Sequence, residues 1–249
     1  MSAAPLLELR DVCASYGPFR AIFDVSFSVP EHGVVALLGA NGAGKTTVAR
    51  VVTGLLQVQT GSLLFDGDDI TRRKTWQIAR LGITHAPEGR SVFGSLTVEE
   101  NLTLDFGRSL GGKRVAEGLE RAYELFPRLG ERRGQGAGTL SGGEQRMLSL
   151  ARVLVNPPRL LVVDELSLGL APIIIDELYS TLRRVNEAGT ALLIIEQYVG
   201  RALSIAQSAV ILQHGEVIYD GSVADLGDVS ERLLATESSA RESSAPARE

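Results

Sequence analysis

The sequence feature that most constrains the fold of this chain is a glycine-rich segment, GANGAGKT, that runs from Gly39 to Thr46. It fits the pattern G-x-x-x-x-G-K-[ST], in which glycines let main-chain amides turn toward phosphate oxygens and the lysine reaches the β- and γ-phosphates. An apolar run at 34–38 precedes the segment, and a helical pattern at 46–56 follows it. This strand-loop-helix context predicts a phosphate-binding loop rather than a glycine-rich turn without a ligand.

The loop supplies a set of candidate nucleotide-binding residues. Its main-chain amides are expected to surround phosphate oxygens, and the Thr46 hydroxyl is expected to bind Mg²⁺. The predicted nucleotide-binding residues here are Gly39, Asn41, Gly42, Ala43, Gly44, Lys45, Thr46 and Thr47.

Strand and helix patterns alternate along most of the chain, which predicts an α/β fold with a mostly parallel, helix-flanked sheet. The strand patterns of this sheet lie at 83–85, 160–163, 191–195 and 209–212. An antiparallel β patch is predicted from two further segments. Residues 6–29 alternate in the manner of strands, with a turn at 16–18, and residues 61–65 form another strand pattern. His214-Gly215, between two apolar runs, predicts a tight hairpin.

The same patterns predict one domain over residues 1–236. A helix-rich, polar stretch at about 89–157 is expected to form a helical lobe inserted into it. Residues 237–249 are rich in Ser, Ala, Glu and Arg without apolar periodicity, so we expect a disordered tail.

Composition excludes several classes of function. Apolar runs fall far short of the roughly 20 residues that cross a bilayer, and the N-terminus lacks a signal-peptide pattern, so we expect a cytoplasmic protein. The net charge of −5 disfavours a nucleic-acid partner. His32, His85 and His214 are far apart in sequence, so no transition-metal site is predicted.

Two acidic residues follow the apolar strand pattern at 160–163. At the carboxyl edge of the sheet, where ligands of open α/β folds bind, Asp164 is expected to hold Mg²⁺ and Glu165 to orient or deprotonate an attacking water. The alternative is a pair of acids that cap a surface turn, and the upstream phosphate loop favours the first interpretation.

The string LSGGEQ, residues 140–145, is typical of a helix start. Ser141 is expected to be the N-cap and Glu144 its partner in a capping box. Gly142 and Gly143 leave the first amides uncovered, which suits an anionic phosphate. Capping alone does not explain two consecutive glycines, because each costs roughly 1 kcal/mol inside a helix.

Taken in order, the phosphate loop, LSGGEQ and the Asp-Glu strand end resemble the ATP-binding subunit of ABC transporters, over the chain up to about residue 234. The resemblance implies a P-loop NTPase fold of ABC type, ATP hydrolysis with ATP and Mg²⁺, and two subunits that sandwich two nucleotides. It implies that the signature residues that contact the partner's ATP are Ser141, Gly142, Gly143 and Gln145. It also implies that Tyr16 stacks on adenine, although a structural tyrosine packed on a neighbour gives the same pattern.

The chain departs from the family pattern at four positions. Glu88 stands where the family usually has glutamine, and Gln197 stands where most members have a histidine that contacts the γ-phosphate. By resemblance Glu88 is assigned to the metal site, where it adds negative charge, and Gln197 to the catalytic residues, where its amide remains a donor. Leu166 replaces a common proline, and Ala171 replaces a common aspartate.

The strings PEGR, SLTVEENL, SLGLAP and EQ resemble one ATPase of importers for branched-chain amino acids. The resemblance implies a second ATPase subunit, identical or homologous, membrane-spanning permease subunits, an extracellular solute-binding protein, and a place at the cytoplasmic face of the membrane. Similar ATPases serve urea and short amides, so the solute is left open. Two further alternatives are a soluble ABC-type ATPase outside transport and a nucleotide-gated scaffold with weak catalysis.

Overall fold

Residues 5–86, 92–109, 112–197 and 199–227 are described by the computed structural model of the protein. Within these ranges the strands are β1 Pro5–Tyr16, β2 Phe19–Pro30, β3 Val34–Leu38, β4 Thr60–Phe65, β5 Asp68–Asp69, β6 Ile83–Ala86, β7 Leu160–Asp164, β8 Ala191–Glu196, β9 Ser208–Gln213 and β10 Glu216–Ser222. The α-helices are α1 Lys45–Val52, α2 Thr75–Arg80, α3 Val98–Ser109, α4 Val115–Leu125, α5 Pro127–Glu131, α6 Gly142–Leu154, α7 Pro172–Glu187 and α8 Val199–Leu203.

The chain divides into two compact units, and the first comprises residues 1–72 and 194–249. It contains an antiparallel sheet in the order β2-β1-β4-β5. In a second sheet β3 pairs in parallel with β9, and β10 pairs antiparallel with β9. All five residues of β3 are buried, as expected for a strand covered on both faces.

The second unit comprises residues 73–193. Its strands β6 and β7 pair in parallel, and β7 is buried along its whole length. The helices α3, α4, α5 and α6 lie in the region predicted for the inserted lobe. The exact bounds of the lobe and of a single domain over 1–236 stay predictions.

The predicted α/β class, with parallel strands and a separate antiparallel patch, is confirmed. The hairpin is also confirmed, because His214 and Gly215 join β9 to β10 with positive φ angles of 52° and 86°. The helix predicted to reach residue 56 ends at Val52 instead. Gly54 has a φ of 68°, which turns the chain out of the helix, and the amide of Leu55 bonds back to the Arg50 carbonyl.

No helix within the described ranges is long and apolar enough to cross a membrane. The predicted tail at 237–249 lies outside the described residues.

Helix α7 begins with an N-cap that has no side-chain acceptor. Ala171 occupies the N-cap with an extended backbone, and Pro172 follows at the first helical position. We therefore expect Ala171→Asp to stabilise the protein by about 1 kcal/mol, because an aspartate there can accept an orphan amide of the first turn. For a chain of this size the unfolding midpoint should rise by about 2–4 °C in a calorimetric or circular-dichroism melt.

The matched control places the same substitution at the other end of α7. Ala188 is the C-cap residue, where a negative charge opposes the helix dipole. Ala188→Asp should leave the midpoint unchanged or lower it. Equal midpoints for the two variants would contradict a capping effect.

Candidate functional site

The phosphate loop lies between β3 and α1 in the first unit. Gly39, Gly42 and Gly44 have positive φ angles, so the main chain turns as a phosphate loop requires. Lys45, the first residue of α1, is 4% exposed. Its Nζ donates to the carbonyl oxygens of Gly39, at 2.8 Å, and Ala40, at 3.0 Å. Two loop carbonyls therefore hold the ammonium group within the loop.

A cavity of about 380 Å³ opens beside this loop. Its volume lies in the range of small-molecule sites, and Arg20 and Lys45 bring positive charge to it. Its lining residues are Arg20, Ala21, Phe23, Gly42, Gly44, Lys45, Thr46, Thr47 and His214. The N-terminus of α1 adds partial positive charge, so the cavity suits an anionic ligand.

The β9–β10 hairpin braces the loop from the side. The Gly215 amide donates to the Ala43 carbonyl at 3.0 Å, and the Phe23 amide donates to the Gly215 carbonyl at 2.8 Å. The sequence predicted the hairpin but not this contact, since nothing local relates residue 215 to residue 43. Ala43 is buried, whereas Asn41 is exposed in the loop.

Tyr16 ends β1 and keeps 39% of its surface exposed. Arg50 of α1 donates to its hydroxyl at 3.0 Å, and the guanidinium carbon lies 5.7 Å from the ring centroid. Tyr16 is not among the residues that line the cavity. The ring has a packing partner and an open surface, so stacking on adenine stays a prediction.

The two predicted acids lie at the end of β7 in the second unit. Asp164 is 1% exposed, and its Oδ2 lies 3.9 Å from Nε2 of His85 on the neighbouring strand β6. Glu165 follows with a left-handed backbone, at a φ of 46°. Such a backbone is uncommon for a residue other than glycine and tends to occur where a side chain is held for function.

The capping box predicted for LSGGEQ is confirmed at the start of α6. The Glu144 amide donates to Ser141 Oγ at 3.3 Å, and the Ser141 amide donates to Glu144 Oε2 at 2.9 Å. Arg132 Nε lies 2.9 Å from the other oxygen of Glu144. Burial raises the pKa of Glu144, but the Ser141 hydrogen bonds and the charges of Arg132 and Arg128 outweigh it and lower the pKa overall.

The structure gives a packing reason for one of the two glycines. A Cβ on Gly143 would lie 2.6 Å from Cγ2 of Ile174 on α7, closer than packed atoms tolerate. Gln145, assigned by resemblance to the partner's nucleotide, is 3% exposed, and its Nε2 donates to the Ala137 carbonyl at 2.8 Å. Its amide is therefore engaged within the chain, whereas Ser141 is exposed.

Sequence reasoning missed one buried side chain that contacts Glu165. Arg146, on α6, is 8% exposed and donates from Nη2 to the main-chain oxygen of Glu165 at 2.9 Å. No sequence pattern distinguishes this arginine from a solvated helix residue, because its partner lies 19 positions away.

Each unit offers an oxygen donor that could take part in binding Mg²⁺, which usually binds through one or two carboxylates plus substrate phosphates and waters. In the second unit the Asp164 carboxylate is buried, and in the first unit the Thr46 hydroxyl belongs to a residue that lines the phosphate-loop cavity. Among the described residues no three His, Cys, Asp or Glu side chains group to hold a metal ion. Gln197 follows β8 and is partly exposed, and Glu88 lies outside the described residues.

Comparison with known proteins decides the family. The sequence profile of the ABC transporter family matches residues 22–167, more than half of the chain. The chain belongs to the ABC transporter family. As a member of it, this ABC protein is a nucleotide-binding ATPase, consistent with the phosphate loop and the acidic strand end.

Curated relatives cover nearly all of this ABC ATPase. BraG of Pseudomonas aeruginosa, a high-affinity branched-chain amino acid transport ATP-binding protein, is 40% identical over 89% of this chain and 94% of its own length. LivF of Archaeoglobus fulgidus, a probable branched-chain amino acid transport ATP-binding protein, is 32% identical over the same shares. LptB of Haemophilus influenzae, of a lipopolysaccharide export system, is 32% identical over 87% and 90%.

Solved structures of ABC cassettes share the fold. An ATP-binding subunit of an ABC transporter has a TM-score of 0.80 and 27% identity, covering 93% of this chain and 98% of its own. An ATP-binding cassette in its ADP conformation has a TM-score of 0.78 and 25% identity, with 93% and 99% coverage. Both support the ABC-type P-loop fold for this ATPase.

Proposed function

We propose that this ABC ATPase powers the import of branched-chain amino acids through a separate membrane-spanning partner. The observation that carries the proposal is the similarity to BraG, at 40% identity over most of both chains. The strings PEGR, SLTVEENL, SLGLAP and EQ support the same subfamily. The 32% identity to LptB, named for lipopolysaccharide export, shows that coverage alone does not decide the cargo.

In the proposed site, Lys45 and the loop amides hold the triphosphate, and Tyr16 offers its exposed ring to adenine. Thr46 and Asp164 would hold Mg²⁺, and the resemblance assigns Glu88 to the same metal site. When bound, Mg²⁺ would neutralise charge on the phosphate oxygens.

Glu165 orients the attacking water and accepts its proton, and the Gln197 amide donates toward the γ-phosphate.

The signature segment is proposed to act on a second ATPase subunit. Ser141, which is exposed, and the two glycines after it close over the partner's ATP with the uncovered amides of α6. Gln145 supports the helix start from inside through its bond to Ala137. Nucleotide binds the closed pair more tightly than the open one, so ATP shifts the population toward closure and hydrolysis releases it.

The proposed assembly places the chain at the cytoplasmic face of the membrane, attached through permease subunits. An extracellular solute-binding protein delivers the solute from the other side and has no direct contact with this chain. The net charge of −5 gives no support to a nucleic-acid partner.

The test reconstitutes the full-length chain with its co-purifying membrane and solute-binding proteins in lipid vesicles. ATP hydrolysis is measured with leucine, isoleucine or valine, and separately with urea or acetamide. Stimulation by the branched-chain amino acids supports the proposal, and the Glu165→Gln complex is the background control. Stimulation by urea or acetamide alone would assign the chain to the amide importers. A hydrolysis rate that does not change with the membrane partner or with any of the solutes would contradict a role in transport.

Gln197→His is expected to raise the hydrolysis rate of the assembled complex by roughly a few-fold. This is the change in rate expected when one hydrogen bond to the γ-phosphate becomes stronger. The imidazole remains a donor when neutral and adds a cationic contact to the γ-phosphate when protonated. Because an unperturbed histidine titrates near pH 6.5, the cationic part of the gain should decline as pH rises above about 6.5. The measurement is the steady-state rate from pH 6 to 8.

Gln197→Asn is the control, since it keeps an amide but shortens it. An unchanged rate in the histidine variant across that range would show that the residue at 197 does not limit turnover.

A further inference from the structure

Arg146 is a buried side chain in contact with Glu165, the proposed general base, and it lies outside the sequence motifs. It lies in the second turn of α6, and its Nη2 donates to the Glu165 carbonyl at 2.9 Å. Both residues belong to the second unit, so the contact lies within one compact body. A buried arginine is costly unless its donors are matched, which makes this contact more than an incidental surface bond.

The backbone that Arg146 holds is an unusual one. Glu165 adopts a φ of 46°, a left-handed conformation that a side chain with a Cβ does not adopt readily. Such conformations persist where surrounding contacts over-determine them. Asp164, the residue before Glu165, is buried, and Arg146 holds the Glu165 carbonyl. Together they set the direction in which the Glu165 side chain leaves the main chain.

We propose that Arg146 is a positioning residue for ATP hydrolysis: by holding the Glu165 carbonyl it keeps the Glu165 carboxylate aimed at the attacking water. This inference rests on the proposed role of Glu165 as the base. Arg146 need not touch the nucleotide, so its loss affects the rate of hydrolysis and not the affinity for ATP. A misplacement of about 1 Å at a reacting group can cost about 10²-fold in rate.

The test compares Arg146→Met and Arg146→Lys in the full-length chain under single-turnover conditions with MgATP. We expect the methionine variant to lose about 10- to 100-fold in hydrolysis rate with its ATP dissociation constant unchanged. The lysine variant keeps a cationic donor and should recover part of the rate. Arg152→Met is the matched control, because Arg152 lies on the same helix and pairs with Asp105. It should show a comparable change in unfolding midpoint but a normal rate.

A double-mutant cycle with Glu165→Gln separates positioning from general structural damage. If Arg146 acts through Glu165, Arg146→Met should lower the residual rate of the Glu165→Gln protein no further. A loss of the same factor in both backgrounds, or equal rates for Arg146→Met and Arg152→Met, would overturn the inference. A normal rate in Glu165→Gln alone would instead reject Glu165 as the base, and the positioning role with it.

Discussion

Glu165→Gln is expected to lower the rate of ATP hydrolysis by about 10²- to 10⁴-fold, the range of a well-placed general base. The amide has nearly the shape of the carboxylate but does not accept the proton of the attacking water. Binding of MgATP should be retained, since the phosphate loop belongs to a different segment of the chain. The measurement is phosphate release in a single turnover, together with an ATP titration of the same protein.

A second readout follows from the proposed pair of subunits. If hydrolysis opens the closed pair, the Glu165→Gln protein with MgATP should elute as a dimer and wild-type protein after turnover should not. Glu187→Gln, an exposed glutamate at the end of α7, is the matched control and should behave as wild type. Normal phosphate release from the Glu165→Gln protein would remove Glu165 from the mechanism.

Lys45→Met is expected to weaken ATP binding by roughly 10- to 100-fold, since each charge-assisted hydrogen bond is worth about 1.5–3 kcal/mol. The methionine fills a similar volume but brings no charge to the phosphates. Lys45 also donates to the Gly39 and Ala40 carbonyls, so the variant removes two contacts inside the loop as well. The affinity is measured by titration calorimetry with ATP.

The circular-dichroism spectrum and unfolding midpoint of Lys45→Met distinguish weaker binding from a collapsed loop. Lys113→Met is the control, because Lys113 is exposed in a short 3-10 helix, Gly112–Arg114. It should bind ATP as wild type does. An unaltered ATP affinity in Lys45→Met, with the fold intact, would contradict the assignment of GANGAGKT as the phosphate loop.

Local patterns were sufficient for the parts of the site that depend on neighbours in sequence. The loop between β3 and α1, the capping box of Ser141 with Glu144, and the acids at the end of β7 were all predicted where the structure has them. Each depends on hydrogen bonds or strand patterns spanning a few residues. The predicted end of α1 was wrong by four residues because one glycine, Gly54, was enough to stop the helix.

Long-range contacts account for what those patterns missed. Gly143 is small because Ile174 of α7 packs against it, and the loop is braced because Gly215 reaches the Ala43 carbonyl. The Gln145 side chain bonds to the Ala137 carbonyl inside the chain, so fewer side chains of LSGGEQ face a partner than the sequence predicted. Leu166, which departs from the common proline, is buried next to Glu165.

The order of the motifs was enough to predict the family and the chemistry, because phosphate binding and helix capping are properties of short segments. The placement of the carboxylate at Glu165 depends on Arg146, 19 positions away in sequence and in direct contact in the folded chain. Such a pairing exists only after α6 packs beside the end of β7, and packing joins residues whose separation along the chain carries no periodic signal.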